Sequence, residues 1–281
     1  MRMKIVLVSL AALAAGGCQP PGTSGRPGAE RVVAGFYPLA FAARQVAGPR
    51  VQVDDLTPPG AEPHDLEVSP GDVQRVRSAR VVLLLGHGFQ PQLEAAARGG
   101  QVVTLLDTPG LSPLPNGDPH VWLDPVRYGL IVGRVGAVLH DRAGARRVVA
   151  RLRRLDHEYR VGLARCRRRE IVTSHQAFAY LARRYGLRQV AITGISPEAE
   201  PAPADLRRVV ALVRATHATT VFLEPLVSPR IVRTVARETG ARTAVLDPVE
   251  GLTPSEAARR DDYFTLMRAN LARLRRALGC R

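Results

Sequence analysis

Residues 171–193 read IVTSHQAFAYLARRYGLRQVAIT. A short β-rich run at 171–173 leads into an apolar-periodic stretch at 178–185. Gly186 stops that stretch, and a second β-rich run follows at 189–193. The order is strand, helix, stop, strand. The rhythm continues downstream, with helices expected over 204–216 and 229–240 and strands over 220–223 and 243–246. Upstream, strands are expected over 31–35, 51–56, 81–85 and 102–105, with helices over 39–47, 73–78 and 91–98. Such alternation predicts an α/β fold of parallel sheets flanked by helices. Two blocks of it predict two lobes, over 31–124 and 166–281. Between them, 125–165 contains no strand or strong breaker. Val126, Leu130, Val135 and Val138, then Val148, Leu152, Leu155 and Tyr159, recur at helical spacing. One long helix linking the lobes is expected there. Gly129, Gly133, Gly136 and Gly144 argue against an uninterrupted one. A last helix is expected over 261–278.

The chain opens MRMKIVLVSLAALAAGGC. Arg2 and Lys4, an apolar run, then Gly16 and Gly17 before Cys18 follow the order of a secretory signal. The run is shorter than the ~20 residues of a membrane span. The small-small-Cys ending resembles a bacterial lipoprotein box. That resemblance implies a signal peptide over 1–17, an acylated Cys18 and an extracytoplasmic, membrane-anchored protein. The Pro- and Gly-rich stretch through residue 30 reads as a tether.

The formal net charge is +15, which permits contact with anionic partners. The arginines are scattered along expected helix surfaces. With 5% aromatic residues, none alternate with them as a stacking platform, so nucleic acid is not an expected partner. A solvated, arginine-heavy face is expected instead, and it also suits an anionic membrane. Apart from Cys18 only Cys166 and Cys280 occur, with no CxxC motif. In an oxidising compartment these two could pair. The chain is expected to act as a monomer.

Three of the seven histidines sit in loop-like contexts beside Asp, Pro or a strand end: His64 in PPGAEPHDLE, His120 in NGDPHVWLDP and His175 in IVTSHQAF. Glu224 and Asp247 end the strand-like runs VFLE and AVLD. Ligands of open α/β sheets gather beyond the carboxyl ends of strands, so these residues can converge. Three imidazoles with one carboxylate make a good Zn2+ shell, with Mn2+ a weaker fit. The residues alone leave Glu224 and Asp247 both open as the acid. His87, His140, His157 and His217 read as structural or exposed. No Ser-His-Asp arrangement, P-loop or HExxH motif occurs.

The surroundings of these histidines carry a resemblance over nearly the whole mature chain. PPGAEPHDLEVSP, DPHVWLDP and TSHQAFAYLARRYGL, followed by GISPEAEPAPADLRRVV, VFLEPLVSPRIVRTVARETG and LDPVEGLTPSEAARRDDYF, resemble the metal-binding lipoproteins of bacterial zinc and manganese ABC importers. The resemblance implies two α/β lobes joined by a long helix, one metal between them, an ABC permease as partner and no catalytic activity. Carried over residue by residue, it implies His64, His120, His175 and Asp247 as ligands. A histidine at the third position points to zinc; manganese-preferring members usually have Glu there. Glu62, Asp65, Asp124 and Glu224 are expected nearby as weak or outer contacts. The chain departs from many zinc members in lacking a long His- and acid-rich loop before His120. The competing readings are a manganese carrier, a zinc hydrolase with Glu224 as base, and an adhesion or structural lipoprotein.

Overall fold

The computed structural model describes residues 30–111, 114, 116–197 and 200–281. The expected signal peptide, Cys18 and the tether up to residue 29 lie outside the described residues.

The first half runs β1 (Glu30–Ala34), α1 (Tyr37–Ala47), β2 (Val51–Asp55), α2 (Pro70–Ser78), β3 (Val81–Leu84), α3 (Pro91–Ala96) and β4 (Val102–Thr104). After α4 (Pro125–Val138) and α5 (Arg142–Leu163) the second half runs β5 (Glu170–Thr173), α6 (Ala179–Tyr185), β6 (Arg188–Ala191), α7 (Pro203–Ala215), β7 (Thr220–Leu223), α8 (Arg230–Thr239) and β8 (Arg242–Val245). Two C-terminal helices follow, α9 (Pro254–Arg259) and α10 (Tyr263–Leu278). Each half forms a four-stranded, all-parallel sheet, ordered β2-β1-β3-β4 and β6-β5-β7-β8. The VVLL run of β3 is buried throughout, as a central strand covered on both faces requires.

The α/β fold with two helix-flanked parallel sheets is as expected. The linking segment is helical as well, but it breaks once, at residues 139–141. His140 there adopts a left-handed φ of 53° and Asp141 caps α5 by accepting the Gly144 N–H at 2.7 Å. The chain therefore folds back, and α4 and α5 pack antiparallel. Two of the glycines that weaken the helical reading are contact points. A Cβ on Gly136 would lie 2.4 Å from that of Ala145, and one on Gly144 would lie 2.1 Å from the Val46 carbonyl oxygen at the end of α1. Gly144→Ala should therefore destabilise the protein by about 1–3 kcal/mol in chemical denaturation, although Ala is the better helix former by about 1 kcal/mol. A neutral or stabilising result would show that α1 and α5 do not meet this closely.

One continuous core joins the two halves. It runs from Val32 and Phe36 through α1, α4, α5 and α10 to Phe178 and Phe222. Smaller clusters lie under α2 and α3 on the first sheet and under α7 and α8 on the second. Trp122, 1% exposed, packs edge-on against Phe36 and Phe89 of the first half and donates its indole N–H to the Pro248 carbonyl of the second at 2.8 Å. A shared core of this kind disfavours wide hinge opening, because parting the halves would expose apolar surface. Cys166 and Cys280 form a disulfide that joins the ends of α5 and α10 across 114 residues of chain. Among the described residues, no helix is long and apolar enough to cross a membrane.

Candidate metal centre

Parallel strands bring their carboxyl ends to one side of each sheet, and the two sides face each other. His64 lies in the loop after β2, His120 in the loop after β4, and His175 two residues beyond β5. Glu250 lies in the loop after β8. Their donor atoms fall within 4.8 Å of one another. The Nε2 atoms of His120 and His175 are 3.3 Å apart, and Glu250 Oε1 is 2.9 Å from His120 Nε2 and 3.6 Å from both His64 Nε2 and His175 Nε2. Ligands at ~2.0–2.1 Å around a tetrahedral Zn2+ are separated by about 3.3 Å, so this spacing suits such an ion. His120 and His175 are fully buried and Glu250 nearly so. His64 Nε2 and Glu250 Oε1 are buried without a hydrogen-bond partner. Unpartnered buried polar atoms are costly, and here they converge on one point.

The far nitrogens of two imidazoles are held by acids. Asp118 Oδ1 lies 2.7 Å from His120 Nδ1 and also accepts the His120 backbone N–H at 2.9 Å. Glu224 Oε2 lies 2.5 Å from His175 Nδ1, and its Oε1 accepts the His175 backbone N–H at 3.1 Å. The Ser174 hydroxyl donates to the same carboxylate. Each acid fixes a tautomer that leaves Nε2 free to bind and makes that nitrogen more basic. Asp118→Asn and Glu224→Gln should each weaken zinc binding about 10–100-fold in competitive titration. Unchanged affinity in both would remove them from the site. His64 is placed differently. Gln90, buried behind it, donates to the carbonyls of Gly35 at 3.1 Å and Pro63 at 3.3 Å, which ties the His64 loop to the end of β1. The His64 ring stands edge-on to Phe89, with centroids 4.5 Å apart.

The charges follow the geometry. Burial opposes protonation of His120, but Asp118 and Glu250 outweigh it and hold its pKa above the ordinary imidazole value. Burial likewise opposes charge on His175; Glu224 and Glu250 overcome it and lift the pKa to about 10. Burial would favour the neutral acid of Glu250, yet the surrounding imidazoles reverse this and hold it well below the usual range. In the metal-free protein, then, protons on imidazole compensate the buried carboxylate.

The acid in the cluster is Glu250, three residues beyond the expected Asp247. Asp247 is buried, but its Oδ1 accepts the Val249 N–H at 2.7 Å, and its backbone is clamped by Asn270 through bonds of 2.9 and 2.6 Å. Burial lifts its pKa to about 7. Val249 takes a left-handed φ of 56°, unfavourable for a β-branched residue. The Asp247 turn thus shapes the loop that delivers Glu250. The other expected neighbours separate. Glu62 accepts the His64 backbone N–H at 2.9 Å and is raised to about 8 by burial and then by Glu250. Asp65 is exposed. Asp124 caps α4, accepting the Val126 N–H at 2.9 Å, and pairs with Arg184 at 3.2 Å. His87 pairs with Asp107 at the surface, at 2.8 Å. Sequence reading missed Asp118 and Gln90. The GDPH run offered a signal for Asp118, since an acid two residues before a loop histidine can reach that histidine's own backbone and ring.

Residues 32–277 match the family described as ZnuA, zinc-uptake complex component A, periplasmic. The chain belongs to this family. Among its relatives, the zinc-binding lipoprotein AdcA of Streptococcus pneumoniae is 31% identical over 98% of this chain, which spans only 60% of AdcA's own length. The high-affinity zinc uptake system protein ZnuA of Bacillus subtilis is 29% identical, with 88% of this chain and 87% of that protein covered. The crystal structure of the Zn(II)-bound ZnuA-like domain of S. pneumoniae AdcA superposes with a TM-score of 0.76 at 31% identity, over 89% of this chain and 99% of that domain. The laminin-binding protein Lmb of Streptococcus agalactiae, described as having adhesin and metal-transporting activity, superposes with a TM-score of 0.80 at 29% identity, again over 89% and 99%. Within the ZnuA family fold, the histidine–carboxylate cluster occupies the junction of the two halves.

Proposed function

We propose that this chain captures Zn2+ outside the cytoplasm and delivers it to the permease of an ABC importer. His64, His120, His175 and Glu250 are the ligands. The observation that carries this reading is the convergence of one ring nitrogen from each of three histidines and an oxygen of the buried Glu250 carboxyl within 4.8 Å. Neutral imidazoles suit zinc's borderline-soft character, and one carboxylate halves its charge. Asp118 and Glu224 spread the remainder. Four protein donors fill the shell of a tetrahedral ion and leave no position for a reactive water, so the site is built for capture and release. A hydrolase with Glu224 as base is disfavoured, because that carboxylate faces the far nitrogen of His175, away from the cluster centre. A lipid on Cys18 keeps the carrier beside its permease, with residues 31–124 and 166–281 as its two lobes.

Competitive titration of the purified protein with Zn2+ and Mn2+ in one buffer tests the assignment. Zinc should win, and His175→Glu should move the preference toward manganese, since oxygen donors suit the harder ion. Equal binding of the two metals by the parent protein would defeat the zinc assignment.

A further inference from the structure

The chain's positive charge is not spread evenly over the fold. Residues 142–169, which comprise α5 and the turn after it, hold eleven arginines and two acids. Residues 263–281, which comprise α10 and the C-terminal turn, hold five arginines and no acid. These two segments therefore carry fourteen of the net fifteen positive charges, and twelve when the capping acids Asp141 and Asp262 are counted with them. The rest of the protein is close to neutral.

The two helices lie side by side. Arg268 of α10 pairs with Glu158 of α5 at 2.8 Å, and Gly162 packs against Leu271 and Arg275. The Cys166–Cys280 disulfide and the Arg281 N–H bond to the Arg165 carbonyl at 3.0 Å lock their ends together. Both acids of the α5 segment are engaged, because Asp156 is buried beneath Arg160 and Arg184 and Glu158 is held by Arg268. On the outer side of α5, helical spacing sets Arg147, Arg154 and Arg165 in one row and Arg146, Arg153 and Arg160 in another. Between the rows lie Ala150, His157 and Val161, and Val161 is 61% exposed. Exposed arginines flanking a narrow strip with Ala150 and Val161 match the pattern of a helix face that rests on a lipid headgroup layer.

We infer that the outer face of α5 and α10 docks on an anionic phospholipid surface and orients the protein on its membrane. The inference rests on the anchored reading above in one respect: eleven residues separate Cys18 from Glu30. Even fully extended, such a segment reaches only about 40 Å, so the protein is never far from the bilayer. The anchor alone sets distance and leaves orientation free. A one-sided basic face removes that freedom, since each arginine near an anionic leaflet gains roughly fivefold in binding.

The test uses the chain from Gln19 onward, without the expected signal peptide or the lipid-bearing Cys18, so that neither an apolar leader nor an acyl chain contributes, in co-sedimentation with vesicles. Phosphatidylcholine vesicles containing phosphatidylglycerol are compared with phosphatidylcholine alone. Binding is expected only to the anionic vesicles, with release in about 1 M salt, where the Debye length is about 3 Å. Arg154→Glu, Arg165→Glu and Arg276→Glu together should weaken it about a hundredfold, from roughly fivefold per arginine. A control triple of equal charge, Arg77→Glu, Arg98→Glu and Arg233→Glu, should stay within a few fold of the parent. No binding to the anionic vesicles, or equal losses in both triples, would overturn the docking face. Zinc titration of each variant separates the two ideas. Loss of zinc binding by the parent would defeat the carrier reading and leave the vesicle result standing. If the face triple loses zinc binding through misfolding, the corresponding glutamine triple replaces it, with the same ordering expected.

Discussion

Glu250→Gln lowers zinc affinity at least about a hundredfold, whereas Asp247→Asn leaves it within a few fold: this pair of results is expected from competitive chelator titration. Structural zinc sites bind with about 10–16 kcal/mol over four ligands, so one ligand's share is about 2.5–4 kcal/mol, roughly two to three tenfold steps. Glutamine keeps the size of Glu250 but loses its charge, and with it the partner of three imidazoles. Asparagine at 247 keeps an oxygen that can still accept the Val249 N–H, so the turn that presents Glu250 survives. The reverse ordering would restore Asp247 as the ligand and make Glu250 a bystander. Equal losses in both would mean that the turn and the ligand act as one unit, which Asp247→Ala with a check on folding would then separate.

The second large effect is on pH. Zinc must displace the protons that His120 and His175 hold in the metal-free protein. Capture near pH 7.5 should therefore release between about one and two protons per ion, read by calorimetry in buffers of different ionisation enthalpy. Apparent affinity should climb with pH toward about 10, the value of His175, and fall steeply in acid. Metal-free stability runs the other way. His175 has a folded pKa above its unfolded one, so its contribution is complete below about pH 6.5 and is lost as pH rises through about 10. Burial raises the Glu250 carboxyl, but the imidazoles around it outweigh burial and depress it, so its contribution is present above about pH 4.3 and is lost as pH falls through its folded value. Metal-free melting temperature should thus decline above neutrality while the increment from zinc grows. Zinc binding without proton release would contradict the protonated metal-free site.

Most of the architecture was legible in the chain because its signals are local. The step from β-branched runs to 3.6-residue periodicity, punctuated by Gly186 and Gly240, announces βαβ units whatever they pack against. The three histidines were legible for a related reason: each stands in a loop near a strand's carboxyl end or beside Asp and Pro, where a parallel sheet leaves its ligands. The break at residues 139–141 was not legible as a reversal, since it depends on Gly136 and Gly144 letting α4 and α1 approach α5. That is a matter of contact between elements, and periodicity within one element is silent on it.

The acid at the centre shows the same division most clearly. LDPVEG contains two carboxylates three residues apart, and both are compatible with a ligand in the loop after a strand. Their chemistry is the same and their spacing ambiguous. The choice falls to the backbone: Asp247 turns back onto Val249, whose left-handed conformation swings Glu250 toward the imidazoles. Both are buried, and burial lifts Asp247 to about 7; the imidazoles that hold Glu250 well below the usual range come from loops distant in the chain. Sequence alone determined the two α/β halves, the three imidazoles and the kind of ion they suit, because these follow from residue type and local period. Only the tertiary structure decided which carboxylate joins them and that the two arginine-rich segments lie side by side, because a donor's direction and a charge's neighbours are set by packing between elements.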